Sequence, residues 1–201
     1  MASQVDIANL TLTLLGQESI SSISEDRKAA RLISTNFDII RDEELSKRWW
    51  RFAVKRTEMA SLVAAPTGND FSIQYQLPND FLSIIRLGDS YQGYDASDYR
   101  TGPTNEYSIE GDKLLTNYGS PLLIVYSAKI TDTSVWHPCF NSALAARMAY
   151  MLCEDITGSS TRQEFCTYHY KQALSTAMLS NAMLNGPQYR ADNSWMLARL
   201  G

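Results

Sequence analysis

The chain has 201 residues, of which 44% are hydrophobic and 20% charged, and its net charge is −4. That composition supplies a sizeable core without metals or disulfides, and no stretch approaches the roughly 20 consecutive apolar residues that span a bilayer. The acidic balance argues against a protein that grips duplex nucleic acid, which needs a clear basic surface.

In chain order, the first predicted helix runs from about Ser3 to Leu15. Val5, Ala8, Leu12 and Leu15 recur at three and four residues, Ser3 is the N-cap, Asp6 stands at the third position and Gly16 stops the run. Met1 to Asp6 shows neither a basic n-region nor an apolar h-region, so no secretory signal is expected. A connector rich in serine follows, with Ser22 and Glu25 spaced as a capping box for a second helix over Glu25–Arg48. Ala30, Ile33, Phe37 and Ile40 give that helix one apolar face.

After Trp49 the pattern shortens to strands. Phe52 to Leu62 reads as extended and is broken by Pro66-Thr67-Gly68-Asn69-Asp70. Ile73 to Leu77 and Phe81 to Leu87 flank the turn signature Pro78-Asn79-Asp80, and Tyr91 to Thr104 reads as loop. The clearest hairpin pairs Tyr107-Ser108-Ile109-Glu110 with Lys113-Leu114-Leu115-Thr116 across Gly111-Asp112, where glycine supplies the positive φ of the turn. Leu122 to Tyr126 is an apolar run of strand length.

A third helix opens at Pro138 and ends by Gly158, with Phe140, Leu144, Met148, Met151 and Leu152 on one side and alanines on the others. A helix apolar all round is a buried one. The fourth spans about Thr161 to Leu184, with Cys166, Tyr170, Ala173, Ala177 and Leu184 in phase, and Asn185-Gly186-Pro187 stops it. Two helical hairpins around a strand region predict an α+β fold. Residues 1–48 and 137–185 form an antiparallel helical bundle, residues 49–136 an inserted small β-subdomain, and residues 186–201 an extended C-terminal arm.

Candidate chemistry is sparse. Cys139, Cys153 and Cys166 are odd in number and fit no disulfide framework, which suits a reducing compartment. Cys166 and His169 lie at i and i+3, a spacing open to a nucleophile and base or to two metal ligands. The blander reading, a small hydrophobe on the core stripe with His169 at its edge, is preferred because free cysteine is so often buried. His137 adds a further ligand type, yet there is no Cys-x-x-Cys or His-x-x-x-His. Asp42-Glu43-Glu44 reads as a solvated or salt-bridged helix face, with Glu44 and Arg48 as an i, i+4 pair. No phosphate loop, nucleophile elbow or HExxH helix occurs. The expectation is a protein without catalytic residues, cofactor or metal.

Charge is distributed unevenly. Pro66 to Asp112 holds eight acids and two bases, whereas Lys47, Arg48, Arg51, Lys55 and Arg56 form a basic run with no acid between them. That run surrounds Trp49, Trp50 and Phe52. Interleaved bases and aromatics also suit single-stranded nucleic acid, so a helical nucleic-acid-binding module is the alternative. The preferred reading is a helix-to-strand junction whose aromatics are core and whose bases face water or a neighbour's acids. A head-to-tail contact between copies would set this run against the next subunit's acidic segment. In the tail, Tyr189, Arg190, Trp195 and Arg199 have no core of their own and are candidates for a second contact.

An ordered series of landmarks spans nearly the whole chain. They are Ala8-Asn9-Leu10 with Leu14-Leu15-Gly16, Arg41-Asp42-Glu43, Trp50-Arg51-Phe52-Ala53 with Lys55-Arg56, and Leu77-Pro78-Asn79-Asp80-Phe81. Then come Ile109-Glu110-Gly111-Asp112-Lys113-Leu114, Val125-Tyr126, Ala143 to Ala149, Tyr170 with Ala173, and Ser194-Trp195 with Ala198-Arg199. This succession resembles the tail tubular protein A family, the head-to-tail adaptors of short-tailed bacteriophages. Trp49 is a second tryptophan beside the expected one, and Tyr91 to Thr104 has no counterpart in the pattern. The resemblance implies a structural virion protein, synthesised in the bacterial cytoplasm. It implies a homo-oligomeric ring, typically of twelve copies, between the portal protein and the tail nozzle protein. Double-stranded DNA passes through such a ring without sequence-specific binding, and no membrane is involved.

Overall fold

The computed structural model describes residues 2–64, 66, 71–88 and 107–184. The breaker at residues 67–70, the loop Tyr91 to Thr104 and the tail from Asn185 onward lie outside the described residues. Within them the order is two helices, six strands and two helices, an α+β fold.

Helix α1 (Gln4–Leu15) begins where the Ser3 side chain accepts from the Asp6 amide while the Asp6 carboxylate accepts from the Ser3 amide. It ends at Gly16, whose φ of 67° lets its amide reach the carbonyls of the last turn. Thr11 Oγ1 lies 3.0 Å from the Ile7 carbonyl and 3.2 Å from Ala145 O in the third helix, which satisfies a buried hydroxyl across the helix pair. Asn9 turns the chain back. Its amide nitrogen donates to Ile20 O at 3.0 Å and its oxygen accepts from Ile20 N at 2.8 Å.

Helix α2 (Lys28–Lys47) starts later than its sequence predicts. The Ser22–Glu25 capping box does not form; Ser22 Oγ pairs with Ser24, Glu25 reaches back to the Ser21 amide, and Arg27 is an N-cap without a side-chain bond. The serine cluster forms local turns that compete with the first helical turn. The predicted face is buried as expected, with Ala30, Ile33, Phe37 and Ile40 joined by Arg41, Glu44 and Leu45.

Helix α3 (Pro138–Thr157) is the centre of the bundle and packs on α1, on α2 and on helix α4 (Ser160–Met183). His137 caps it, with Nδ1 accepting from the Cys139 amide, and its Nε2 lies 3.3 Å from Ser180 Oγ of α4. An aromatic cluster closes the end of the core nearest the strands. Trp50 meets Phe140 edge-on at 4.9 Å, Trp136 meets Phe140 at 5.4 Å, and Phe37 stacks on Trp136. The indole of Trp50 donates to Glu44 O at 3.0 Å, so burying its polar edge leaves no donor unpaired.

The insert is two three-stranded antiparallel sheets around a shared apolar cluster. Strands β1 (Val54–Met59), β6 (Leu122–Ala128) and β3 (Phe81–Leu87) form one, in the order β1-β6-β3. Strands β2 (Ile73–Gln76), β5 (Lys113–Thr116) and β4 (Tyr107–Glu110) form the other, in the order β2-β5-β4. The Pro78-Asn79-Asp80 turn therefore carries the chain from one sheet to the other. Tyr75, Leu114, Leu122, Ile124 and Ala128 lie in the cluster between the sheets, and Leu82 and Ile130 lean on the bundle core.

Candidate assembly interface

The basic run is the hinge between bundle and sheets, and its charges have divided roles. Lys47 ends α2 with its ammonium 2.7 Å from Glu43 and 3.0 Å from Glu44. Lys55 lies on β1 with its ammonium 2.6 Å from Asp80, inside the acidic segment of its own chain. Arg48 leaves the helix in extended backbone, with one guanidinium nitrogen buried and without a hydrogen-bond partner among the described residues. Arg51 and Arg56 are exposed, and neither has an ion pair among the described residues.

The aromatics divide in the same way. Trp50 is buried and Phe52 packs beside it at 6.2 Å, whereas Trp49 is 57% exposed. Only Trp49 thus offers the run a free stacking face. Asn181 of α4 fixes this hinge, accepting from the Arg51 amide and donating to Trp49 O, both at 2.9 Å. Tyr189, Arg190, Trp195 and Arg199 lie outside the described residues.

Asp80 holds the insert together. Its carboxylate accepts from Lys55 at 2.6 Å and from the Tyr126 hydroxyl at 2.9 Å, and its carbonyl accepts from the Lys129 amide at 2.7 Å. Burial raises the Asp80 carboxyl, but the bonds from Lys55 and Tyr126 outweigh it and leave the group below its ordinary value. Tyr126 is pushed up to about 12, first by burial and then by the Asp80 bond.

The acidic triplet of α2 is a salt-bridged face, but its partners extend beyond those the helix spacing predicts. Asp42 bridges Arg41 and, at 2.6 Å, Lys129 beyond β6, joining bundle to insert. Glu44 is 2% exposed and does not pair with Arg48. It accepts from the Tyr170 hydroxyl at 2.9 Å and from Lys47, and Arg147 Nε approaches it at 3.5 Å without hydrogen-bond geometry. Arg147 also reaches Glu43 at 3.1 Å, and its guanidinium lies 5.4 Å from the ring centres of both Tyr150 and Tyr170, which stack on each other. Three helices meet in this network. Its sequence signal is Arg147 itself, the one basic residue of an alanine-rich buried helix, which must have a partner.

Cys166 is fully buried beside Leu15, Ala149 and Cys153, and its thiol is pushed up to about 11 by burial and then by Cys153. His169 instead packs on Phe165 and Tyr168. Burial thus leaves little of this thiol as the thiolate that attacks electrophiles at neutral pH. No group of three metal-ligating side chains comes together among the described residues.

No protein-family model matches the chain, and no curated protein matches it. The exposed hinge around Trp49 and Arg51 is fixed to α4 through Asn181. It offers cations and an aromatic ring on a rigid support, which suits contact with another macromolecule.

Proposed function

We propose that the protein is a head-to-tail adaptor of a short-tailed bacteriophage, assembling as a ring between portal and tail nozzle. The observation that supports this reading is how the scattered landmarks of the resemblance meet in space. Lys55, Asp80 and Tyr126, from three separate landmarks, share one set of hydrogen bonds. Glu43 of a fourth pairs with Arg147 of a fifth, and Tyr170 of a sixth bonds the adjacent Glu44. Landmarks far apart in the chain are thus one another's structural partners.

In this reading the ring joins each subunit's basic hinge to the acidic insert of the next, a head-to-tail contact that closes by rotation. Arg51 is the residue to reverse. Lys55→Glu would also break the Asp80 pair within the subunit and confuse assembly with folding. The decisive experiment is electron microscopy of the purified chain, alone and with portal-bearing, tail-less heads from the same phage. A ring of density beneath the portal is expected, and heads that acquire none refute the proposal.

A further inference from the structure

From Gln172 to Tyr189 the sequence contains no charged residue. Over the described part of that stretch, residues 172–184, only Ala177 is buried. Helix α4 there packs Ala173, Leu174 and Ala177 on the bundle and leaves Met178, Leu179, Met183 and Leu184 exposed. Ala177 packs into the bundle, while Leu179 is 62% and Met183 80% exposed. A solvent face of a helix normally carries charge, so an uncharged outer face rich in leucine and methionine is the composition of an interface centre. Phe165 and Tyr168, also exposed, lie fourteen and eleven residues before Leu179, on the same face at heptad spacing.

Trp49 extends the patch sideways, since its carbonyl is bonded to Asn181, between Met178 and Leu184. Arg51, whose amide is held by the same asparagine, sets at the border a cation with no ion pair among the described residues. The face is thus apolar at its centre and positive at one edge.

The complementary pattern is on the insert. Strand β4 is an edge among the described strands, with Tyr107 and Ile109 exposed. The hairpin tip bears Glu110, Asp112 and Lys113, with Lys113 opposite Glu110 and Asp112 accepting from the Gln76 side-chain amide. It is apolar in the middle, and two acids against one base leave the end net negative. We infer that the outer face of the C-terminal half of α4, together with Trp49, is a docking face for the β4–β5 hairpin of a second copy of this chain. Arg51 of one copy then faces Glu110 and Asp112 of the next. The two surfaces differ, so the contact is heterologous and repeats from copy to copy. The adaptor reading supplies the closed ring, but the pairwise contact does not depend on it.

The test uses the full chain. A photo-reactive phenylalanine analogue at position 179 should give adducts that peptide mass spectrometry assigns to residues 107–112 of another chain. Isotopic mixing of two preparations separates inter-chain from intra-chain adducts. Leu179→Glu and Met183→Glu should leave helicity and melting unchanged, since both side chains are exposed, and should weaken self-association in sedimentation by about ten-fold or more. Arg51→Glu should weaken it too, and adding Glu110→Arg should restore it. A strictly monomeric protein, adducts confined to its own residues 185–201, or wild-type association by Leu179→Glu would each overturn the inference. Self-association through this face without portal binding would refute the adaptor reading alone. Portal-bound rings indifferent to Leu179→Glu would refute this inference alone.

Discussion

Replacing Glu44 by alanine probes whether the network between α2, α3 and α4 is structural. The carboxylate is 2% exposed and holds the Tyr170 hydroxyl at 2.9 Å. Its loss strands that hydroxyl, at about 1–3 kcal/mol for a buried group left unsatisfied. Arg147 is only 14% exposed, but it keeps Glu43 at 3.1 Å, so the full cost of about 3–5 kcal/mol for an orphaned buried charge does not apply. Lys47 is 36% exposed and also keeps Glu43, and it adds less than about 1 kcal/mol. The expected loss is about 2–3 kcal/mol, or about 5–10 °C in melting temperature for a chain of this size. Urea unfolding followed by far-UV circular dichroism measures it. A cycle with Tyr170→Phe should show coupling of about 1 kcal/mol or more. A loss under about 0.5 kcal/mol, or strict additivity, would mean that water satisfies the site and the network does not hold the helices.

Acid should loosen the insert through Asp80, whose folded pKa lies below the ordinary 3.8. Its stabilisation is fully present above that value and disappears as pH falls through the folded one, so the urea midpoint should be level from neutrality to about pH 5 and drop below about pH 4; Asp80→Asn should flatten that limb. Ala177→Leu should destabilise the α3–α4 contact by about 1–3 kcal/mol, whereas Leu179→Ala should stay within about 0.5 kcal/mol; chemical denaturation of both variants checks the inward and outward assignment of α4. In a thiol-reagent titration at pH 7.5, half-buried Cys139 should react first, and Cys153 and Cys166, both buried, only at the rate of unfolding. Rapid labelling of Cys166 would contradict its burial.

Elements with local signals were legible. The Ser3–Asp6 box, Gly16, the Gly111 turn, Pro138 and Gly158 fix their chain segments within a few residues, and each stands where its sequence puts it. The start of α2 was misread because Ser22 and Glu25 satisfy the capping pattern but have nearer partners in Ser24 and Ser21. The allocation of strands to two sheets was not legible. β1 finds β6 across more than 60 residues, and nothing in the period of either strand names the other. Glu44 was assigned to a surface pair with Arg48 because spacing along one helix is visible in a sequence, whereas the approach of Tyr170 and Arg147 is not.

Helix α4 shows how an apolar pattern can point away from the core. Its in-phase set of Cys166, Tyr170, Ala173, Ala177 and Leu184 locates the packed side only in part. Cys166 and Ala177 are buried, Tyr170 and Ala173 are half-buried, and Leu184 is exposed. The fully buried residues are small, as suits contact with an α3 itself lined with alanine. Tyr170 and Leu174 still pack on that side, whereas Phe165, Leu179 and Met183 take the outer face. Among the described residues nothing covers Leu179 and Met183, and about 25 cal/mol per Å² of apolar burial is forgone wherever such a side chain meets water. The arrangement becomes favourable once another chain covers the face. Core and interface are written in the same alphabet of apolar residues, and the direction a side chain faces on the helix is what tells them apart here.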